Sequence, residues 1–228
     1  MLLSPTALES MRGRLIVSAQ AYPGEPMRDP RTMGQVAASA VIGGAAAVRV
    51  QGLADVQAAR SAVEVPVIGL FKDGHDSVFI TPTIRHALAV ASAGAHIVAL
   101  DGTRRKRPDG ASLAETVAAV QSDSLASVMA DCGSLADADA AAEAGADLIG
   151  TTLAGYTGER GRTEGPDLEL IEQLAAADLG RPVIAEGRIH TPAQARAALD
   201  AGAYAVVVGT AITHPASITG WFVDALGA

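Results

Sequence analysis

Cysteine is nearly absent from this 228-residue chain, with Cys132 its single example. One thiol closes no internal disulfide and builds no thiolate zinc site. Aromatics are scarce too, at 3% against 49% hydrophobic residues in all. The core must therefore come from Ala, Val, Ile and Leu, the stock of helices packed on a parallel sheet. No run of about 18 apolar residues occurs, which excludes a spanning helix. Cations are the minority charge, 17 Lys and Arg against 25 Asp and Glu, for a net charge of −8. That balance argues against nucleic acid or an anionic membrane as partner, since both need a dense basic patch. A small anionic ligand stays compatible, because groups at a site outweigh net charge. The start, Met1-Leu2-Leu3-Ser4-Pro5, lacks a charged segment followed by an apolar one and reads as untargeted.

A chain of this length suits one domain and buries about three-quarters of its unfolded surface. Short aliphatic runs recur along it: Leu15-Ile16-Val17, Ala47 to Val50, Val67 to Leu70, His96 to Leu100, Ser127 to Ala130, Asp147 to Gly150, Val183-Ile184-Ala185 and Ala205 to Val208. Ala-rich stretches of helical spacing lie between them, such as Leu135 to Ala144 and Pro192 to Ala201. Eight such alternations predict a single-domain (β/α)₈ TIM barrel over residues 1–228, with a doubly wound open sheet as the alternative. Gly44-Ala45, Gly94-Ala95, Gly145-Ala146 and Gly202-Ala203 each follow a helical stretch and precede an apolar run. Glycine suits the left-handed residue that ends a helix, so the four copies read as one repeated helix-stop, strand-start unit. Ser134 and Thr191-Pro192 read as helix caps.

Polar residues gather just past the runs: Gln20, Arg49 with Gln51, Lys72 with Asp73, Asp101 with Thr103, Asp131, Thr151 with Thr152, Glu186, and Gly209 with Thr210. In a barrel these carboxyl ends converge on one mouth, where active sites form. Any one of them could be a turn or cap former; a full set is expected to line a site. Lys72, partly desolvated and near Arg49, suits a base or amine nucleophile. Glu186 straight after a buried strand must be paired or functional, Arg188 being the obvious partner for a merely structural pair. Asp131 and Asp101 are candidates to hold a sugar hydroxyl or the lysine. Cys132 has no histidine at a neighbouring strand end to activate it. His75, His86, His96, His190 and His214 share no ligand spacing, so no metal site is expected. Gly187-Arg188 after strand seven and Gly209-Thr210 after strand eight fit the backbone phosphate cradle common in barrels. Arg104-Arg105-Lys106-Arg107 forms a basic loop that would attract an anion or simply face solvent.

Seven stretches together resemble the N-acetylmannosamine-6-phosphate 2-epimerases. They are Leu15 to Gln20, Ile80-Thr81-Pro82, Ala99 to Thr103, Ala130-Asp131-Cys132, Gly150 to Thr157, Val183 to Arg188 and Val208 to Thr213. The resemblance spans about Leu15 to Phe222, and the Gly-Thr-Thr-Leu-Ala-Gly-Tyr-Thr and Ile-Ala-Glu-Gly-Arg stretches carry it most specifically. It implies a cytoplasmic enzyme of sialic-acid breakdown that interconverts N-acetylmannosamine 6-phosphate and N-acetylglucosamine 6-phosphate without nucleotide cofactor or metal. The family's catalytic lysine and glutamate fall on Lys72 and Glu186. Its arginine after strand two, aspartate after strand five and strand-one glutamine fall on Arg49, Asp131 and Gln20, and Thr152 and Tyr156 are expected to join them in binding substrate. The phosphate of such a substrate is expected at Gly187, Arg188, Gly209 and Thr210, the glycine-bearing ends already described. This chain departs at Ala19, where Cys is frequent, and at Ala154 and Thr210, where Ser is frequent.

The implied chemistry needs a proton taken from C2 on one face of the open-chain sugar and one returned on the other. Two positioned groups are the simplest arrangement. Arg49, always charged, is left the electrostatic role at the developing oxyanion, a part Gln20 also suits. A one-base version would swing Lys72 between faces. Competing readings are a Schiff-base aldolase using Lys72 and a non-catalytic phosphosugar-binding protein. The apolar segment Ile218 to Val223 fits either a homodimer interface, the assembly expected here, or the helix that closes the barrel.

Overall fold

Eight parallel strands follow one another around a closed barrel in the computed structural model, which describes residues 5–74 and 78–227. They are β1 (Leu15–Ala19), β2 (Ala47–Gln51), β3 (Val67–Leu70), β4 (Ile97–Asp101), β5 (Ser127–Asp131), β6 (Leu148–Gly150), β7 (Val183–Glu186) and β8 (Ala205–Val208). Every expected aliphatic run is a strand. The pairing Leu15↔Val206 joins β1 to β8 and closes the ring, which rules out the open sheet. Residues 1–4, which carry most of the untargeted reading, and His75 lie outside the described residues.

The helices are α1 (Pro5–Glu9), α2 (Pro30–Ile42), α3 (Leu53–Ala62), α4 (Ile84–Ser92), α5 (Leu113–Asp123), α6 (Leu135–Glu143), α7 (Leu168–Ala176), α8 (Pro192–Asp200), α9 (Thr210–Thr213) and α10 (Pro215–Leu226). None in the described residues is long and apolar enough to cross a membrane. The repeated glycines behave alike: Gly44, Gly94, Gly145 and Gly202 have φ of 100°, 102°, 90° and 102°, a region that other residues enter at a cost. Ser134 caps α6, its hydroxyl accepting from the Asp137 N–H, and Thr191 forms a capping box with Gln194 on α8.

Strand side chains alternate between two environments, as the two-residue repeat requires. Ile16, Ala47, Ile68, Ile97, Met129, Leu148, Ile184 and Ala205 share one buried cluster inside the barrel, which Met11 joins from the segment after α1. Val48, Val50, Val98, Val128 and Ala130 belong to the outer layer beneath the helices. Burying one Val, Leu or Ile side chain contributes about 1.5–3 kcal/mol, so the aliphatic layers hold the barrel without staples. The same alternation, continued two residues beyond each inner aliphatic position, points Ser18, Arg49, Asp131 and Glu186 inward. Ala19, the last residue of β1, belongs to the outer layer beneath the helices.

Candidate active site

A pocket of about 490 Å³ opens where the strands end, lined by Gln20, Arg49, Lys72, Thr152, Tyr156, Glu186, Gly187, Arg188, Gly209 and Thr210 among others. At its floor Arg49 from β2 is 1% exposed. Its guanidinium pairs with Asp131 of β5 at 2.7 Å and with Glu186 of β7 at 2.8 Å. Burial opposes the Arg49 charge, but Asp131 and Glu186 outweigh it and hold the group fully protonated. Thr152, just past β6, stands between the two carboxylates, its Oγ1 2.8 Å from Asp131 Oδ1 and 2.9 Å from Glu186 Oε2, and its single hydroxyl proton donates to one of them at a time. Those contacts occupy Glu186 Oε2 and leave its Oε1 with no hydrogen bond among the described residues. Asp131 is fully buried, so it acts on the pocket chiefly by orienting Arg49 and Thr152.

Lys72 stands on the opposite wall, since β3 and β7 are four strands apart in either direction round the ring. It lies two residues past β3, where a bridge to Ile80 fixes its backbone. Asp73 N–H donates to the Phe79 carbonyl at 3.0 Å, and Thr81 Oγ1 donates to the Ala99 carbonyl at 2.6 Å. This short return anchors the lysine to β4. Burial, then the nearby Arg49, pushes the amine below its ordinary value, with Glu186 and Asp131 opposing. Burial pushes the Glu186 carboxyl the other way, above its ordinary value, with Arg49 opposing. Opposed shifts of this kind bring an amine and a carboxyl closer in proton affinity, as an acid–base pair requires.

Gln20 donates through Nε2 to Ser18 Oγ at 2.8 Å, while its buried Oε1 has no partner among the described residues. Tyr156 sits at the rim beneath two guanidiniums, Arg188 at 5.3 Å and Arg162 at 5.4 Å from its ring centre. Gly187 has a φ of 113°, and Gly209 precedes α9, whose first N–H groups have no partner within the helix.

Several expectations are corrected. Arg188 is not the partner of Glu186. Its guanidinium donates to the carbonyls of Gly165 (3.1 Å) and Ala154 (2.8 Å) and to Thr163 Oγ1 (2.9 Å), tying down the loop after β6. Three of its five N–H groups are thereby used, so only the remainder can meet a phosphate. Asp101 is fully buried and does not reach the pocket: Thr103 and Arg105 take its carboxylate, Arg105 at 2.6 Å. The basic loop is mostly spent internally. Arg104 pairs with Asp137 and Glu159, and Arg107 donates to the carbonyls of Asp101 and Thr81, which leaves Arg105 to line the pocket. Cys132 is fully buried, and burial pushes its thiol well above the usual range, so it is no nucleophile.

Sequence reasoning did not single out Tyr22 and His214, both of which line the pocket. They lie in loops, where no periodicity marks direction. The available signal was rarity: Tyr22 is one of three tyrosines and follows a strand end by three residues.

A family model described as "Putative N-acetylmannosamine-6-phosphate epimerase" matches residues 33–228. The chain is 64% identical over 220 residues to a Cutibacterium acnes protein named "Putative N-acetylmannosamine-6-phosphate 2-epimerase", covering 96% of each. Among solved structures it is similar to the N-acetylmannosamine-6-phosphate 2-epimerase from Clostridium perfringens, with 39% identity, a TM-score of 0.91 and 95% of both chains covered. A deoxyribose phosphate aldolase from Aeropyrum pernix, at 17% identity and a TM-score of 0.64 over 94% of this chain and 93% of its own, shares the fold alone.

Proposed function

The chain belongs to the N-acetylmannosamine-6-phosphate 2-epimerase family, and on that premise we propose how its barrel mouth does the family's work. It is an isomerase of sialic-acid and amino-sugar catabolism, interconverting N-acetylmannosamine 6-phosphate and N-acetylglucosamine 6-phosphate by moving the proton at C2. One observation carries the residue assignment: Lys72 and Glu186 occupy opposite walls of one pocket, with proton affinities pushed toward each other.

In the open-chain sugar, C2–H adjoins the C1 aldehyde, so losing its proton gives an enolate. One of the pair removes that proton from its face, and the other returns a proton from the opposite face, inverting C2. In the reverse reaction the roles exchange. Arg49 faces the developing oxyanion with a charge it cannot lose, and Gln20 adds a neutral donor beside it. Asp131 and Thr152 hold Arg49 and Glu186 in register, while Tyr156 closes the rim over the sugar. The phosphate lies against Gly187, Arg188, Gly209 and Thr210, where backbone N–H groups and the rest of the Arg188 fork point. No step in this scheme calls on a metal or nucleotide. A phosphorylated sugar does not pass a bilayer unaided, which puts the enzyme in the cytoplasm with its substrate. A homodimer is the expected assembly. In its support, α10 buries none of its residues and exposes Phe222 by 69% and Leu226 by 83%.

The test is an NMR assay of N-acetylmannosamine 6-phosphate in D₂O. Wild-type enzyme should exchange C2–H for deuterium while forming the second epimer. Lys72→Ala should abolish epimer formation, and a Lys72→Ala enzyme that still forms the second epimer would sink the scheme. Glu186→Gln should abolish epimer formation; retained exchange without inversion in that variant would assign the first proton to Lys72.

A further inference from the structure

We infer that Tyr22 is a positioning residue for the reaction, its ring holding the Lys72 side chain in place from a clasp between the first and last loops of the barrel mouth. The inference rests on the reading of Lys72 as one of the two proton-moving groups. Lys72 Nζ lies 5.2 Å from the centre of the Tyr22 ring, within cation–π range. Among the described residues the amine makes no hydrogen bond and no ion pair, so this ring is its one close partner. Arg49, Glu186, Asp131 and Arg28 act on it through the field only.

The ring itself is held. Tyr22 N–H donates to Glu25 Oε2 at 2.8 Å, and Glu25 Oε1 bonds His214 Nε2. His214 Nδ1 bonds Ser217 Oγ at 2.7 Å, and its ring meets Tyr22 edge-on, 5.7 Å between centres at 72°. The far end of the same loop is pinned by Arg28, which pairs with the buried Asp55 of α3 at 2.8 Å. An aromatic face favours the ammonium over the neutral amine, whereas burial favours the amine. The ring therefore sets both where the nitrogen stands and how readily it gives up its proton.

Tyr22→Leu keeps bulk and removes the aromatic face; Tyr22→Phe keeps the face. The chain has two lysines, Lys72 and Lys106, so lysine-labelled NMR follows the Lys72 titration with a single reference signal. In Tyr22→Leu the Lys72 titration should move down by about half a pH unit. The limb of the pH–kcat profile that reports Lys72 should move with it. The kcat itself should fall several-fold with KM little changed, and Tyr22→Phe should restore all three. An unmoved Lys72 titration in Tyr22→Leu overturns the inference. If the titration moves while the pH–kcat limb stays, the ring contact stands and the assignment of Lys72 to proton transfer falls instead.

Discussion

Arg49 and Glu186 meet 2.8 Å apart at the pocket floor, from strands that are three steps apart in the ring, and the same guanidinium holds Asp131 at 2.7 Å. One buried cation thus keeps two carboxylates in place. Removing it leaves both without their ion-pair partner, which gives the first prediction. Arg49→Ala should lose about 3–5 kcal/mol of stability at pH 7 in urea denaturation. Burial already raises the Glu186 carboxyl, so its charged form costs stability above its folded titration point, and that cost fades as pH falls through it. The Arg49→Ala deficit should therefore shrink as pH falls from 7 toward the ordinary carboxylate value of 4.5. A deficit that stays constant would show that the lost stability is packing and not unpaired charge.

Lys72 carries the opposite sign. Its amine is pushed below the ordinary value of 10.5, chiefly by burial, so the unfolded chain binds that proton more tightly than the folded one. The resulting penalty is fully present below the folded titration point and disappears as pH rises toward the unfolded value. Lys72→Met should melt higher than wild type at pH 7, while being inactive, and the gap should close toward pH 10. An equal or lower melting temperature at pH 7 would refute the penalty.

Arg188 serves the loop after β6 with three hydrogen bonds before it serves any anion. Arg188→Ala should raise KM for the sugar phosphate about tenfold or more and speed proteolysis within residues 154–165. Arg188→Lys keeps the charge without the fork, so it should recover part of the KM and little of the protease resistance. Full recovery of both by lysine would mean that charge alone matters here.

The repeated glycines separate strain from crowding. A Cβ at Gly44 meets nothing within 4 Å, whereas one at Gly202 falls 2.6 Å from the Ala175 Cβ on α7. Both have φ near 100°. Gly44→Ala should cost about 1–2 kcal/mol, the left-handed strain alone. Gly202→Ala should add about 1–3 kcal/mol of overpacking. Equal losses in chemical denaturation would contradict the close approach of α7 to the β8 turn.

The eight strands were legible in the sequence because aliphatic runs of fixed length alternate with Ala-rich helices, and the inward set followed from the two-residue repeat. Arg49, Asp131 and Glu186 all lie on that repeat and were found. Lys72 was found as well, although its place depends on the return through Ile80 that no local pattern announces. The misplaced residues lie where the repeat ends. Asp101 keeps the inward register but is claimed by Arg105, four residues on, and Arg188 turns to carbonyls of a loop more than twenty residues away. Tyr22 and His214 come together from opposite ends of the chain, a closure that only the β1–β8 pairing produces.

The alternation of side chains along each strand constrains how this barrel can vary in length. Adding or deleting one residue within β2 would exchange inside and outside for everything beyond it, sending Arg49 under the helices and a valine into the pocket. A change of two would restore the facing but shift the guanidinium along the axis by about 7 Å, beyond reach of both carboxylates. The strands are therefore frozen in length by the buried ion pairs they carry, and insertions can accumulate only in the connections between strands and helices.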